Sequence, residues 1–238
     1  MTMPPHIAIV HEDNHTLVVV KPFNVPSQED VSGSPDMLTL LKHDLKQRYN
    51  KPGNVYLGLV HRLDRPAGGL MVFAKTSKAA ARLSDLMRTR KLDKRYFAVV
   101  HGHPQPAAGT LKHWLLKDAA SNTSAVVSAG TSGAKEAILD YETVGARDGL
   151  ALVRIRLHTG RPHQIRAQLA AVGCPLYGDQ KYGAAINKPG QQLALWSALL
   201  GFEHPTSREP LQFECAPPDA YPWHLWPWTN TMKGDDAR

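Results

Sequence analysis

The sequence contains little cysteine, with only Cys174 and Cys215 among its 238 residues. The two do not form a C-x-x-C pair, which excludes a zinc signature and a disulfide framework and agrees with a reducing compartment. We expect both thiols to be inert core residues. Histidine is more frequent, but His158 and His163 around TGRP have no third ligand at a recognised spacing. We therefore expect no metal site.

Long apolar runs, internal repeats and low-complexity tracts are also missing. No run approaches the roughly 20 residues that a membrane-spanning helix needs. The N-terminal stretch MTMPPHIAIVHED lacks a basic segment followed by a long apolar one, so we expect neither a signal peptide nor a membrane anchor, and a cytoplasmic protein. A chain of this length can bury one sizeable core. We expect a single domain over residues 1–238 that acts as a monomer.

Positive charge is what the chain has in excess. Lys and Arg number 28 against 21 Asp and Glu, which gives a net charge of +7. A basic surface attracts polyanions, of which nucleic acid is the commonest large one in the cytoplasm. Charge alone does not separate RNA binding from a merely solubilising surface, so both interpretations stay open.

Hydrophobic patterning predicts an α+β domain on a mixed, mainly antiparallel sheet with flanking helices. The predicted strands are HIAIV, LVVVK, VYLGLV, LMVFAK, KRYFAVVHG, ALVRIRLHTG, LALWSALLGF and LQFECA. DMLTLLKHDLKQRY is a predicted helix with Asp36 as N-cap, and SKAAARLSDLMRTR is a second one capped by Ser77. RPHQIRAQLAAVG is the third, with Pro162 in its first turn and Gly173 as its stop.

The strand ALVRIRLHTG has a basic outer side. Its alternation turns Ile155 inward with its apolar neighbours, and Arg154 and Arg156 to the opposite face. We expect these two arginines to contact phosphates. Further phosphate contacts, chosen on charge and predicted face, are Arg82, Arg88, Arg90 and Lys91.

One carboxylate stands out in HRLDRPAGGL, where Asp64 lies between Arg62 and Arg65 and just ahead of a proline and two glycines. Asp at such a position is often a turn former whose side chain caps nearby amides. A carboxylate beside arginine is also kept ionised, which suits a nucleophile or a proton relay. The residues alone leave both roles open.

Several motifs in one order resemble the RluA-type RNA pseudouridine synthases. They are HRLDRPAGGLMVFAKT, KRYFAVVHG, RLHTGRPHQIRAQLAAVGCPLYGDQKYG and HPTSREPLQFECAPP, and IVHEDNHTLVVVKP resembles the opening strand pair of that family. The resemblance runs from about residue 7 to 223. It departs from the family at Ala67, Gly68 and Gly69, where T-S-G is usual, and over HWLLKDAASNTSAVVSAGTSGAKEAILDY, which is similar only loosely.

The resemblance implies an isomerase of the pseudouridine synthase fold that converts uridine to pseudouridine without a cofactor. It implies that Asp64 is the essential carboxylate, that Arg166 pairs with it, and that Tyr96 lies against the base and acts in proton transfer. Without the family, Tyr96 is an ordinary core residue of a strand and Arg166 a solvated helix residue. The C-terminal YPWHLWPW could stack bases, but we expect it to pack on the core instead.

The implied partner is ribosomal or transfer RNA. Arg62 points the same way as Asp64 in an extended segment, so it could fill the space left by a flipped base or bind adjacent phosphates. The predicted RNA contacts are His61, Arg62, Arg65, Arg154, Arg156 and Arg161. We expect no N-terminal S4-type RNA-binding domain.

Two other functions remain possible from the sequence. One is a non-catalytic RNA-binding module with the same fold. The other is a glycosidase-type hydrolase, which would need a second acid across the scissile bond, and the motifs offer no partner for Asp64.

Overall fold

The computed structural model describes residues 5–228 and forms two compact units. Of the described residues, the first unit comprises those up to residue 93 and residues 199–215, and the second comprises residues 94–198 and those from 216 onward. Three α-helices accompany strands that pair antiparallel in each unit, which confirms the predicted α+β class. Within residues 5–228, no helix is both long and apolar enough to cross a membrane.

The elements of the first unit begin with β1 (Ala8–Glu12), β2 (Thr16–Lys21), α1 (Met37–Arg48), β3 (Gly58–Leu59), β4 (Gly68–Ala74) and α2 (Ser77–Arg88). The second unit holds β5 (Asp93–His101), whose first residue falls in the first unit, β6 (Ala108–Asp118), β7 (Thr123–Val127), β8 (Lys135–Arg147), β9 (Leu150–Leu157) and α3 (Gln164–Ala171). The division passes through β10 (Leu195–Glu203). β11 (Pro210–Glu214) belongs to the first unit, and a short 3₁₀ helix at Trp223–Leu225 to the second.

In the first unit, β2 lies between β1 and β4, and β3 pairs with the C-terminal end of β4. Both faces of β4 are buried, and α2 packs on it through Leu83. Only two residues of the predicted strand VYLGLV pair with β4, because the chain then leaves the ladder to form the loop that carries Asp64. The two ends of that loop are therefore held by β3 and β4, which pair with each other.

The caps of the first two helices follow the expected chemistry with one correction. Asp36 caps α1 by accepting the amides of Leu38 and Thr39 at 3.0 and 3.2 Å. The cap of α2 is Thr76 rather than Ser77, since the Thr76 hydroxyl accepts the Ala79 amide at 3.2 Å. Ser77 is instead the first helical residue, one position further along.

The second unit is built on the strand order β5-β9-β8-β6-β7, with every neighbouring pair antiparallel. The loosely similar segment of the sequence forms most of β6, β7 and the first half of β8. Helix α3 covers one face of these strands, where Ala167 packs with Leu115 and Ala137. Tyr96 of β5 lies opposite Ile155 of β9, and Ile155 lies opposite Tyr141 of β8, so all three share the α3 side.

Helix α3 is shorter than predicted. It begins at Gln164, and its cap residue His163 has a left-handed backbone with φ of 53°. Pro162 therefore precedes the helix instead of lying in its first turn. The predicted end is confirmed, because Gly173 follows with φ of 78° and its amide bonds to the carbonyl of Ala170.

The opposite face of the second unit is covered by the C-terminal tryptophans. Trp223 and Trp226 are 2% and 8% exposed, and Trp228 meets Phe97 edge-on with ring centroids 5.0 Å apart. A Cβ at Gly145 would lie only 2.5 Å from the indole nitrogen of Trp226, so glycine is required there. The expectation that YPWHLWPW packs on the core is confirmed.

The cysteines are partly as expected. Cys174 is buried and Cys215 half-buried, and burial raises the pKa of both thiols. Neither is therefore a reactive thiolate at neutral pH. No group of three or more His, Cys, Asp or Glu within the described part of the chain could hold a metal ion.

Candidate active site

The loop between β3 and β4 presents Asp64 outward from a fixed backbone. His61 and Leu63 are buried, Arg62 is exposed and Asp64 is half-exposed, as alternation in an extended segment predicts. The Ser27 hydroxyl accepts the Leu63 amide at 3.1 Å and donates to the Leu63 carbonyl at 2.8 Å. The residue before Asp64 is thus held through both of its backbone groups.

Beneath the loop lies a fully buried lysine, Lys21, at the end of β2. Its ammonium donates to the carbonyls of Pro22 and Arg65 at 3.0 Å each and of Ala67 at 2.6 Å. All three ammonium hydrogens therefore have acceptors. The pKa of Lys21 is lowered to about 7, chiefly by burial; the charge of Asp64 opposes this lowering and the charge of Arg65 adds to it. Lys21 fixes the backbone on the far side of Asp64.

Arg65 supports the same loop although its side chain reaches the surface. Its Nε donates to the carbonyl of Asn24 at 3.1 Å, and its Nη2 to the hydroxyl of Ser34 at 3.2 Å. Its Nη1 lies 3.7 Å from a carboxylate oxygen of Asp30. These contacts hold the guanidinium against residues 24–34, so Arg65 could offer RNA only the donors that remain.

The departure at AGG does not loosen the loop. Ala67 is 1% exposed, and its amide closes a turn on the backbone carbonyl of Asp64 at 3.0 Å. Gly68 and Gly69 are the first residues of β4, and Gly69 pairs with Lys21 in the β2–β4 ladder. With a φ of 109°, Gly69 adopts a backbone that side chains disfavour.

In the second unit, Arg166 of α3 forms a buried ion pair with Asp179. Nε of Arg166 lies 2.8 Å from Oδ2, and Nη2 lies 2.8 Å from Oδ1. The two residues are 4% and 0% exposed. Burial by itself would raise the pKa of Asp179, but the hydrogen bonds and charge of Arg166 lower it below its ordinary value. Arg166 is therefore a cation with a fixed direction, which corrects the solvated alternative.

Tyr182 is a second residue that contacts Arg166. The guanidinium carbon lies 5.2 Å from the centroid of the Tyr182 ring, within cation–π range. The Tyr182 hydroxyl accepts the Ser124 amide at 2.7 Å and lies 2.9 Å from Nδ1 of His163. One tyrosine therefore connects β7, the loop before α3 and the arginine itself.

Tyr96 is 6% exposed on β5, on the side of the sheet that α3 and Arg166 occupy. The sequence motifs indicated Tyr96 and Arg166, but gave no role to Asp179 or Tyr182. Both residues lie in GDQKYG, which is part of a motif that resembles the family. Only that motif could have identified them as site residues, because their spacing in the sequence indicates no pairing with Arg166.

Two predicted RNA contacts of β9 face away from Tyr96. Arg154 and Arg156 lie on the opposite side of the strand, and Arg154 pairs with Glu142 at 2.6 Å. An RNA strand on the α3 side would therefore not reach them, although a second surface remains a prediction. Arg161 is half-buried, and its Nε donates to the carbonyl of Glu136 at 2.8 Å.

His61 is placed in the core of the first unit. It is 7% exposed, and its Nε2 accepts the Val72 amide at 3.1 Å. This placement argues against the predicted RNA contact, because alternation turns His61 inward where it turns Arg62 outward. Arg62 itself is exposed beside Asp64.

The first unit supplies a half-exposed carboxylate on a fixed loop and an exposed arginine two positions before it, and the second unit supplies a fixed arginine beside a tyrosine. A positioned carboxylate can attack an electron-poor carbon or move a proton without help from a redox group. Arginine can bind phosphate in a bidentate manner. Each unit therefore carries groups that suit proton-transfer or covalent chemistry, or the binding of a polyanion.

Comparison with known proteins identifies the family. Residues 15–171 match the model described as RNA pseudouridylate synthase. An uncharacterized RNA pseudouridine synthase of Bacillus subtilis (strain 168) is 33% identical over 219 residues, which cover 90% of this chain and 74% of that protein. The ribosomal large subunit pseudouridine synthase D of Zymomonas mobilis is 32% identical over 223 residues, covering 89% and 69%.

Solved structures agree on the fold. Human RNA Pseudouridylate Synthase Domain Containing 4 superposes with a TM-score of 0.75 at 24% identity, over 89% of this chain and 88% of that one. Human RNA Pseudouridylate Synthase Domain Containing 1 gives 0.70 at 25% identity, over 91% and 87%. The family match and the sequence relatives together show that the chain belongs to the RluA-type RNA pseudouridine synthases, isomerases that act on RNA.

Proposed function

We propose that this protein isomerises a specific uridine of ribosomal or transfer RNA to pseudouridine, with Asp64 as the catalytic carboxylate. The observation that carries the proposal is the outward position of Asp64 on a loop whose backbone Lys21 and Ser27 hold from within. Two relatives, from Zymomonas mobilis and Vibrio parahaemolyticus, bear the name ribosomal large subunit pseudouridine synthase D. We therefore place ribosomal RNA ahead of transfer RNA.

The reaction sets what the site must do. The bond from ribose C1′ to uracil N1 breaks, a bond from C1′ to C5 forms, the hydrogen on C5 leaves as a proton, and N1 takes up a proton. No electrons are gained or lost overall, so the stoichiometry requires no redox cofactor. Asp64 can serve by covalent attack or by carrying a proton, and either role needs an ionised carboxylate. Pairing of Asp64 with Arg166 stays a prediction from the resemblance.

The direct experiment uses bulk RNA from a cell that lacks this gene. The purified protein is incubated with separated ribosomal and transfer RNA, and pseudouridine is mapped along each. We expect a gain at a defined uridine in one fraction. RNA that is bound but unchanged would favour a non-catalytic module, and release of free uracil would favour a hydrolase.

Tyr96→Phe should slow the chemical step by roughly 10²-fold or more while RNA binding hardly changes. The substitution keeps the ring and removes only the hydroxyl, and general acid–base groups typically contribute that much. Single-turnover pseudouridine formation and RNA affinity should be measured on the same preparation. A wild-type rate would show that Tyr96 is only a platform or a core residue.

RNA affinity should fall by orders of magnitude from low to moderate salt if about six or more phosphates are contacted. Arg62→Gln should reduce the slope of log affinity against log salt by about 1. Arg208→Gln is the matched control, because Arg208 is an exposed arginine of the same unit that pairs with Glu203 at 2.7 Å and is not a predicted RNA contact, and it should leave the slope unchanged. If the RNA affinity of the wild-type protein does not change with salt, the protein does not bind RNA through its phosphates.

A further inference from the structure

Lys94, near the start of β5, is a buried cation that the site described above does not use. It is only 8% exposed. Lys21, the other buried lysine, gives its three hydrogens to carbonyls. Lys94 makes no hydrogen bond or ion pair with any residue between 5 and 228. The two lysines therefore differ in their surroundings, since only Lys21 has acceptors for its ammonium hydrogens.

Its position in the second unit brings Lys94 close to Tyr96 and to the loop ahead of α3. Lys94 lies two residues before Tyr96, so both side chains leave the same face of β5. A methyl group added at Gly160 would stand 3.5 Å from the Lys94 ammonium nitrogen. Gly160 is exposed and belongs to the loop between β9 and α3. The ammonium thus borders a surface position that has no side chain.

The Lys94 side chain is largely buried, but its ammonium nitrogen is not among the fully buried polar atoms that lack a partner, so it still reaches solvent. A partly desolvated ammonium without an acceptor is less favourable than one that meets an anion. Burial lowers the pKa of Lys94, and no neighbouring acid offsets that effect. The same loop leads to the N-terminus of α3, where His163 makes no side-chain capping bond. Helix N-termini also favour negative charge. Both features suit an anion that arrives from outside.

We propose that Lys94 binds a phosphate of the RNA substrate close to Tyr96. The proposal rests on the proposed function, since it takes the anion from RNA. Phosphates are the charged groups that RNA offers, and an ammonium with three free hydrogens can reach one or two of their oxygens. The missing side chain at Gly160 leaves room for the phosphate, and the same face of β5 carries the tyrosine expected at the base.

The test compares Lys94→Met, which keeps the length and removes the charge, with Lys112→Met as control. Lys112 is exposed and pairs with Glu136 at 3.1 Å on the other face of the sheet. The probe is an unmodified transcript of large-subunit ribosomal RNA. Loss of a charge-assisted hydrogen bond should weaken binding by Lys94→Met roughly 10- to 100-fold and reduce its salt slope by about 1. Lys112→Met should keep both values.

Stability of the free protein separates a ligand role from a structural one. Without RNA, Lys94→Met should melt at the wild-type temperature or above it, because a desolvated charge has been removed. Gly160→Ala keeps the charge and adds a methyl at ordinary contact distance. It should melt like wild type and still bind RNA more weakly, since the methyl crowds the phosphate.

Several results would overturn the proposal. A wild-type salt slope in Lys94→Met together with lower melting would make Lys94 structural. Wild-type binding with lost turnover would make it a proton carrier. If Lys94→Met fails to fold, wild-type RNA affinity in Gly160→Ala decides against the phosphate. Pseudouridine formation by the wild-type protein is measured separately. If the wild-type protein is active and Lys94→Met keeps the wild-type salt slope, only the role of Lys94 is refuted and the proposed function is not.

Discussion

Asp64→Asn should reduce pseudouridine formation by roughly 10⁴-fold or more, the scale seen when a central catalytic group is removed. An amide is a far poorer nucleophile than a carboxylate and cannot carry a proton in the same way. Fold and RNA affinity should survive, because the loop backbone is held by Lys21 and Ser27. The checks are single-turnover assays, thermal unfolding and RNA binding on one preparation.

The turn-former interpretation predicts the opposite outcome. Asn is as good a turn residue as Asp, and the turn at this point closes between the Ala67 amide and the backbone carbonyl of Asp64. A merely structural Asp64 would therefore leave activity intact in Asp64→Asn. Asp30→Asn is a matched control in the same unit, since Asp30 is exposed and meets Arg65 only at 3.7 Å. It should turn over at close to the wild-type rate.

Asp179→Ala should lower the free energy of unfolding by about 3–5 kcal/mol, because it leaves the buried Arg166 guanidinium without its carboxylate. The double variant Arg166→Met with Asp179→Asn should recover much of that loss, since it removes both buried charges while the Asn oxygen can still accept the amides of Lys181 and Tyr182. Turnover should stay low in the double variant if Arg166 acts in catalysis. Denaturant unfolding and single-turnover assays give the two readouts.

A less buried ion pair provides the comparison. Glu142→Gln breaks the pair with Arg154 and should change stability by no more than about 1 kcal/mol. An equally small effect of Asp179→Ala would contradict the buried pair. A double variant with wild-type turnover would instead show that Arg166 serves only the fold.

Local rules were enough to predict much of the fold. The alternation that turns Arg154 and Arg156 to one face of β9 is found in the structure, as is the Asp36 cap of α1. Both depend on residues adjacent in the chain. The same alternation, applied to HRLD, would have turned His61 inward, and the prediction of His61 as an RNA contact did not use it.

The buried charges could not be predicted in this way. Lys21 ends an apolar strand, where a lysine is usually exposed, and its partners are backbone carbonyls of Arg65 and Ala67, which leave no mark in the sequence. Without the family resemblance, Arg166 was expected to be a solvated helix residue. It is buried because every residue of α3 from Gln164 to Leu169 is buried, and its partner Asp179 follows in an irregular segment without periodicity.

The most direct test of the central claim follows the C5 hydrogen. Unmodified RNA with tritium at uridine C5 is mixed with excess protein, and released tritium, free uracil and pseudouridine are measured in one turnover. We expect wild type to release tritium and form an equal amount of pseudouridine with no free uracil, and Asp64→Asn to release none while still binding the RNA. Tritium release by folded Asp64→Asn at the wild-type rate, or free uracil from wild type, would contradict the account.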